Sequence, residues 1–103
     1  MTKSVIEEDL TIDGNVVSKE GDIDVKGKVT GDITSRSVNV YTSGRVQGAI
    51  TADAVTIQGI HTGRIECAEL ALEKNAEVKS DVKAQTLSSE KGARLVGKVQ
   101  ITG

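Results

Sequence analysis

The sequence predicts an all-β fold, a parallel β-helix (solenoid) of about six turns that forms one domain over residues 1–103. Three observations carry this prediction: a repeat of 15 or 17 residues, alternation of apolar residues within each repeat, and a composition with no proline and one aromatic residue. Because successive side chains of a strand point to opposite faces, this alternation indicates strands with one buried face. Repeats that keep one phase along a whole chain are typical of solenoids.

The repeat is defined by a column of small residues with an apolar column on each side. The small column contains Gly14, Gly31, Gly48, Gly63, Ser80 and Gly97. Two places before it stand Ile12, Val29, Val46, His61, Val78 and Leu95, and two places after it stand Val16, Ile33, Ile50, Ile65, Val82 and Val99. Small and β-branched residues suit the interior of a narrow stack of strands.

The intervals between units differ because the turn after the first strand of each unit varies in length. This turn is short at Lys26-Gly27 and gains two residues at 41–44 and again at 73–76. The first interval has its own two-residue insertion, within residues 18–21. Stacked coils tolerate insertions at their corners, so the sequence predicts solvent-facing corners at these places.

Two other folds are weaker interpretations of the same sequence. The strongest helical pattern covers residues 67–74, but it aligns with the strand positions of the other units, so we predict a strand there. An antiparallel sandwich needs tight hairpins of the Asn-Gly or Asp-Gly type between neighbouring strands. The one such dipeptide, Asp13-Gly14, lies inside a repeat.

The charges do not indicate a ligand. Residues 1–52 hold eight acids and six bases, and residues 53–103 hold seven of each, so no basic stripe is evident. With Tyr41 as the one aromatic residue, the chain has no stacking platform for nucleic acid. The acidic groups at 7–9 and at Asp22 and Asp24 are predicted to be solvated, because the calcium-binding repeat of β-helices is absent.

One cysteine and one histidine complete the reactive groups. A single cysteine excludes an internal disulfide and fits a reducing cytoplasm. Cys67 is predicted to be a small buried or half-buried filler, and His61 an inward or corner residue of an apolar column. Since no second histidine exists, a zinc site is not predicted. The sequence predicts no cofactor, no metal and no catalytic residue.

The repeat runs almost to both ends of the sequence without an evident capping helix. The end turns of such a coil expose unpaired backbone groups and an apolar cross-section, which are prone to pair with another copy. We therefore expect the ends to associate with one another. The predicted assembly contacts are Val5, Ile6, Leu10, Ile12, Leu95, Val96, Val99 and Ile101.

The runs at 9–16, 21–33 and 52–59 resemble the bactofilins, a family of bacterial polymer-forming cytoskeletal proteins. The resemblance covers roughly residues 4–101 and rests on the register of glycine, β-branched and Asp-Ile positions. It implies a right-handed β-helix that polymerises end to end, without nucleotide, into non-polar filaments. It also implies a cytoplasmic scaffold at the inner face of the cell membrane that organises cell-wall synthesis or hydrolysis enzymes and affects cell shape.

Two departures from the family pattern stand out. Leu95 occupies the place where bactofilins commonly carry a phenylalanine that supports polymerisation, and leucine buries less area, a difference of about 1 kcal/mol. Tails are limited to residues 1–4 and 102–103, and no segment of this chain itself supports membrane association.

An enzyme is not predicted, because left-handed β-helical acyltransferases repeat every six residues and pectin-cleaving β-helices are much longer. The alternative left open is a non-polymerising β-helical binding or adhesion module.

Overall fold

The computed structural model describes residues 3–102, with side chains for residues 5–17 and 21–102. This part of the chain forms ten strands and no helix. Every strand pair is parallel. The strands are β1 (Lys3–Ile6), β2 (Thr11–Asp13), β3 (Val16–Val25), β4 (Lys28–Thr30), β5 (Ile33–Val40), β6 (Arg45–Ile57), β7 (Ile60–Leu72), β8 (Glu77–Ser89), β9 (Arg94–Val96) and β10 (Val99–Ile101).

Each strand lies beside its equivalent in the next repeat, so the chain winds into a parallel β-helix. The main order of neighbours is β1-β3-β5-β6-β7-β8-β10, and the short strands β2, β4 and β9 continue the other face of the same turns. Gly48 pairs with Gly63, which pairs with Ser80, as the small column predicts. The predicted parallel β-helix of about six turns is thus confirmed. Residues 67–72 belong to β7, which confirms the strand prediction over the helical alternative for them.

The predicted corners are confirmed at the longer turns. Residues 41–44 join β5 to β6, and residues 73–76 join β7 to β8. The insertion within 18–21 shifts the register between β3 and β5, since Ser18 pairs with Ser35 but Asp22 pairs with Ser37. The strands on either side of this shift keep their pairing, so each extra residue is absorbed locally.

Aliphatic side chains fill the interior from end to end. Ile33, Ile50 and Ile65 stack above one another and are completely buried. Burying one such side chain contributes about 1.5–3 kcal/mol. The described residues span 29 × 25 × 21 Å. Because the stack is scarcely longer than it is wide, its two ends form a large share of its surface.

The glycine column has a backbone conformation that other residues rarely adopt. φ is +134° at Gly31, +135° at Gly48 and +129° at Gly63. A Cβ atom at Gly48 would collide with the carbonyl oxygen of Gly31 in the preceding turn. The column therefore needs glycine both for its φ angle and for the close approach of neighbouring turns. Ser80 is the one residue of the column that is not glycine. Its φ is not positive, since among the described residues only glycines have a positive φ.

Asp24 corrects the prediction that its carboxylate is solvated. Its side chain is 2 % exposed. Asn39 Nδ2 donates to one carboxylate oxygen at 3.1 Å, and Tyr41 Oη donates to the other at 3.3 Å. The Lys26 ammonium lies 5.3 Å from the centre of the Tyr41 ring. The donors come from the next turn of the stack, which covers the carboxylate and replaces its water. Residues 7–9, by contrast, are exposed as predicted.

Candidate assembly surface

The N-terminal tip comprises residues 5–17, the first turn of the stack whose side chains are described. Val5, Leu10 and Val17 are exposed there by 39 %, 47 % and 61 %. Leu10 lies in the turn before β2, whereas Val5 and Val17 face outward because they alternate with the inward-pointing Ile6 and Val16. Ile12 is half-buried, whereas Ile6 is 4 % exposed and belongs to the core of this turn. The tip thus presents an apolar surface.

The C-terminal tip comprises residues 90–102, the last turn. Val96, Val99 and Ile101 are exposed by 63 %, 40 % and 50 %. Leu95 is half-buried, because it packs against the core beneath it and pairs with Val78 of β8. The structure therefore places four of the eight predicted contact residues in the first turn and four in the last, with Ile6 buried in the core.

Both tips also present open strand edges. Within the described residues β1 pairs with β3 alone, β2 with β4 alone, β9 with β8 alone and β10 with β8 alone. The other edge of each strand carries backbone N–H and C=O groups that no neighbouring strand occupies. An open edge of this kind is a template for pairing with a further strand. Apolar side chains and open edges together make each tip suitable for binding another layer of strands.

Val17 is a tip residue that the sequence-based reasoning missed. It follows Val16, whose side chain points inward in the predicted alternation, and it is not among the predicted assembly contacts. Its 61 % exposure makes it one of the most exposed apolar side chains described. The available signal was the pair of adjacent valines, Val16 and Val17, which interrupts the alternation of apolar and polar residues in the first turn.

The sequence comparisons agree with this architecture. A family model described as bactofilin, polymer-forming cytoskeletal, matches residues 4–100. The chain belongs to the bactofilin family. It is also similar to the solid-state NMR structure of the cytoskeletal bactofilin BacA, with 31 % sequence identity and a TM-score of 0.89 over 98 % of this chain and 97 % of that chain. A search of curated proteins found no match.

His61 and Ser80 form a buried polar pair in the interior of this bactofilin. His61 is completely buried in β7, between Val46 and Val78 of the neighbouring turns, so of the two predicted positions, inward or corner, the structure shows the inward one. Its Nδ1 lies 2.6 Å from Oγ of Ser80, which is itself 5 % exposed. Burial lowers the pKa of His61 to about 4, and a backbone hydrogen bond with Gly48 opposes part of that shift. Since both side chains are enclosed, the pair connects two turns and offers no surface to a substrate.

This bactofilin should lose stability in acid through His61. The folded-state pKa of about 4 lies below the ordinary value of 6.5, so the unfolded chain binds a proton more readily. The contribution is therefore present above pH 6.5 and is lost as the pH falls toward 4. We expect a loss of about 2–3 kcal/mol from this residue between pH 7 and pH 4.5. Urea unfolding at both pH values, at a protein concentration below assembly, measures it.

The control is the double variant H61V/S80G, which restores the valine and glycine of the neighbouring columns. Over the same pH interval, the loss of unfolding free energy should be about 2–3 kcal/mol smaller in this variant than in the unmodified chain. Equal acid sensitivity of the two proteins would show that groups other than His61 account for the whole effect.

Cys67 is half-buried and packs against the core, as predicted. It stacks between Ala52 and Ala84, so both of its neighbours in the column are small. Burial raises the pKa of its thiol to about 11, which keeps it protonated near neutral pH. The thiolate is the reactive form of cysteine. Cys67 is accordingly a poor nucleophile, and alanine fits its place.

The described residues show neither a metal-binding group nor a membrane-spanning helix. No three or more of their His, Cys, Asp and Glu side chains are grouped so that they could hold a metal ion. Nor does any segment of residues 3–102 form a helix that is long and apolar enough to cross a membrane.

Proposed function

We propose that this bactofilin is a cytoskeletal scaffold whose copies associate end to end, through their tips, into filaments that need no nucleotide. The observation that supports the proposal is the coincidence of exposed apolar side chains and open strand edges at both ends of the stack. The flanks differ from the tips, because each flank strand of the middle turns is paired on both sides.

Both features of the tips are needed to hold a filament together. Association costs about 4–15 kcal/mol in lost translational and rotational freedom. One backbone hydrogen bond contributes only about 0.5–1.5 kcal/mol, and each apolar Å² removed from water contributes about 25 cal/mol. A contact that combines a strand edge with Val5, Leu10, Val96, Val99 and Ile101 can exceed the cost, whereas either contribution alone is small.

Electron microscopy and sedimentation of the purified full chain test this proposal. Assembly is expected above a critical concentration, at the same level in nucleotide-free buffer and in buffer with ATP or GTP. A chain that stays monomeric at all accessible concentrations would contradict the proposal and would favour the alternative, a non-polymerising binding module. A nucleotide requirement would contradict only the nucleotide-independent part.

The cellular part of the proposal is a scaffold for cell-wall synthesis or hydrolysis enzymes at the inner face of the cell membrane. Its support is the family membership together with a filament's ability to present the same flank repeatedly. Fluorescent fusions test it: the unmodified chain should form discrete structures at the cell periphery that concentrate a cell-wall enzyme. A diffuse distribution of that enzyme, unchanged when the chain is deleted, would contradict the scaffold role.

A further inference from the structure

One flank of the stack carries a square of alternating charge. Arg64 and Glu66 lie on β7, Asp81 and Lys83 lie on β8, and all four side chains are exposed. They point outward, because the residue between the two members of each pair is buried. The register places Arg64 beside Asp81 and Glu66 beside Lys83. Each member of this charge square therefore has a neighbour of opposite sign both along its strand and in the next turn.

The sheet holds the charge square at a fixed spacing. Residues two apart on a strand are separated by about 6.6 Å, and neighbouring strands by about 4.8 Å. Both strands are paired on each side at this place, β7 with β6 and β8, and β8 with β7 and β10. The carboxylate of Asp81 is also positioned from the next turn, since its Oδ1 accepts from the Lys98 N–H at 3.5 Å. The four charges thus form a regular patch on a rigid surface.

The pattern is confined to these two turns. The same two columns in the three preceding turns carry one charge in six positions, whereas the charge square carries four in four. The six residues are Asn15, Val17, Asp32, Thr34, Ala49 and Thr51. Charges that serve only to keep a surface hydrated need neither this concentration nor this alternation. The square has the organisation of a specific contact.

A square of this pattern is complementary to itself. A two-fold axis between two facing copies places the same patch on both sides of the contact. An axis parallel to the strands sets Arg64 against Asp81 of the second copy and Glu66 against Lys83. An axis parallel to the rod sets Arg64 against Glu66 and Asp81 against Lys83. Opposite signs face each other in both arrangements, whereas a patch of one sign would repel its copy.

Opposite charges on neighbouring strands also stabilise a single sheet by pairing within it. Among the residues whose side chains the structure describes, none of the four takes part in an ion pair with N and O atoms within 4 Å. The two roles have different consequences. Pairing within the chain changes the free energy of unfolding of one copy, whereas pairing between copies changes the width of a filament.

A contact through the charge square is weak when it is made once. Exposed ion pairs contribute little and are screened by salt, so two single copies should stay apart. A filament repeats the square once per copy along its length. Two filaments lying side by side would form many such contacts together, and the contributions of linked contacts add.

We infer that the charge square is a lateral contact through which two filaments of this bactofilin associate side by side. The partner is a second copy of this chain, recognised by its own alternating charges. The inference rests on the proposed end-to-end assembly and adds a salt-sensitive level to it. It concerns a flank of the stack and does not depend on which tips meet.

Two double variants with a square of one sign test the inference. E66K/D81K makes all four charges positive, and R64E/K83E makes all four negative. At low salt the unmodified chain should form bundles, which sediment at low speed. In each double variant that fraction should fall about tenfold, while the filaments that sediment at high speed remain. Raising the salt to about 1 M should release single filaments from the bundles of the unmodified chain.

Two restorations separate alternation from net charge. The variant R64E/E66K/D81K/K83E inverts every sign and keeps the net charge of −2. Because its square still alternates, it should bundle to within about threefold of the unmodified chain. Preformed filaments of the two double variants should bundle when they are mixed, since a positive square then faces a negative one. Single filaments in both of these experiments would contradict the inference.

The matched control is D32K/D53K, which changes the net charge as E66K/D81K does but at two exposed acids outside the square. It should bundle as the unmodified chain does, and an equal loss of bundling would show that net charge governs the contact. Urea unfolding of every variant measures the role within one chain. Loss of bundling that follows a loss of unfolding free energy in both double variants would also overturn the inference.

Electron microscopy of the unmodified chain at low salt completes the test. Single filaments without lateral pairs would overturn the inference and leave end-to-end assembly in place. Absence of any filament would overturn both the inference and the proposed function, so the two failures are distinguishable.

Discussion

Replacing Gly48 with alanine is expected to lower the free energy of unfolding by more than about 4 kcal/mol, or to prevent folding. The new Cβ would collide with the carbonyl oxygen of Gly31 and lie 2.7 Å from its carbonyl carbon. That carbonyl belongs to a turn that is paired with the turns above and below, so it cannot move alone. The φ of +135° adds strain of about 1–3 kcal/mol for a residue with a side chain. A loss above about 4 kcal/mol is exceptional for one substitution and indicates a defect in the stack.

Gly14→Ala is the matched control. Its φ of +124° imposes similar strain, but nothing lies within 4 Å of the new Cβ. It should therefore lose only about 1–3 kcal/mol by urea unfolding followed by circular dichroism. Equal losses in the two variants would show that the φ angle, and not the contact between turns, explains the glycine column.

Replacing Val99 with arginine is expected to abolish filaments, with a rise of at least a hundredfold in critical concentration. Val99 lies on β10 and is 40 % exposed at the C-terminal tip. A junction would bury the guanidinium against apolar side chains, and burying an unpaired charge costs several kcal/mol. A hundredfold change corresponds to about 2.7 kcal/mol. Sedimentation and electron microscopy measure the result.

A control for the added charge is Gln47→Arg, because Gln47 is exposed on a flank of β6, between Thr30 and Thr62. This variant should assemble as the unmodified chain does. Both variants should keep their strand signal in circular dichroism, since Val99 contributes little to the core. Filaments of Val99→Arg at the unmodified critical concentration would show that the C-terminal tip is not an assembly contact.

Most of the fold could be predicted because every position of the stack is repeated several times. Ile33, Ile50 and Ile65 indicate the same buried column three times over, so one irregular residue does not obscure it. His61 illustrates this, since its neighbours in the column predicted an inward or corner position and the structure shows it pointing inward. The register shift after Ser18 was likewise visible as an interval of unusual length.

Features that depend on contacts between particular turns could not be predicted in the same way. Alternation gives the direction of the Asp24 side chain but not the Asn39 and Tyr41 groups that cover it. The difference between Ile6 and Val17, which are 4 % and 61 % exposed, does follow from alternation, because Ile6 pairs with the buried Val25 and Val17 pairs with Thr34 of an outer face.

Because successive turns are equivalent, the number of turns can change while the two end surfaces of the molecule stay the same. Gly48 and Gly63 occupy the same place in adjacent turns, 15 residues apart, with the same columns on either side. One repeat can in principle be duplicated or removed without altering the surfaces that end the rod. Each such step would change the axial rise per subunit by about 4.8 Å. The number of turns therefore sets the length of the molecule.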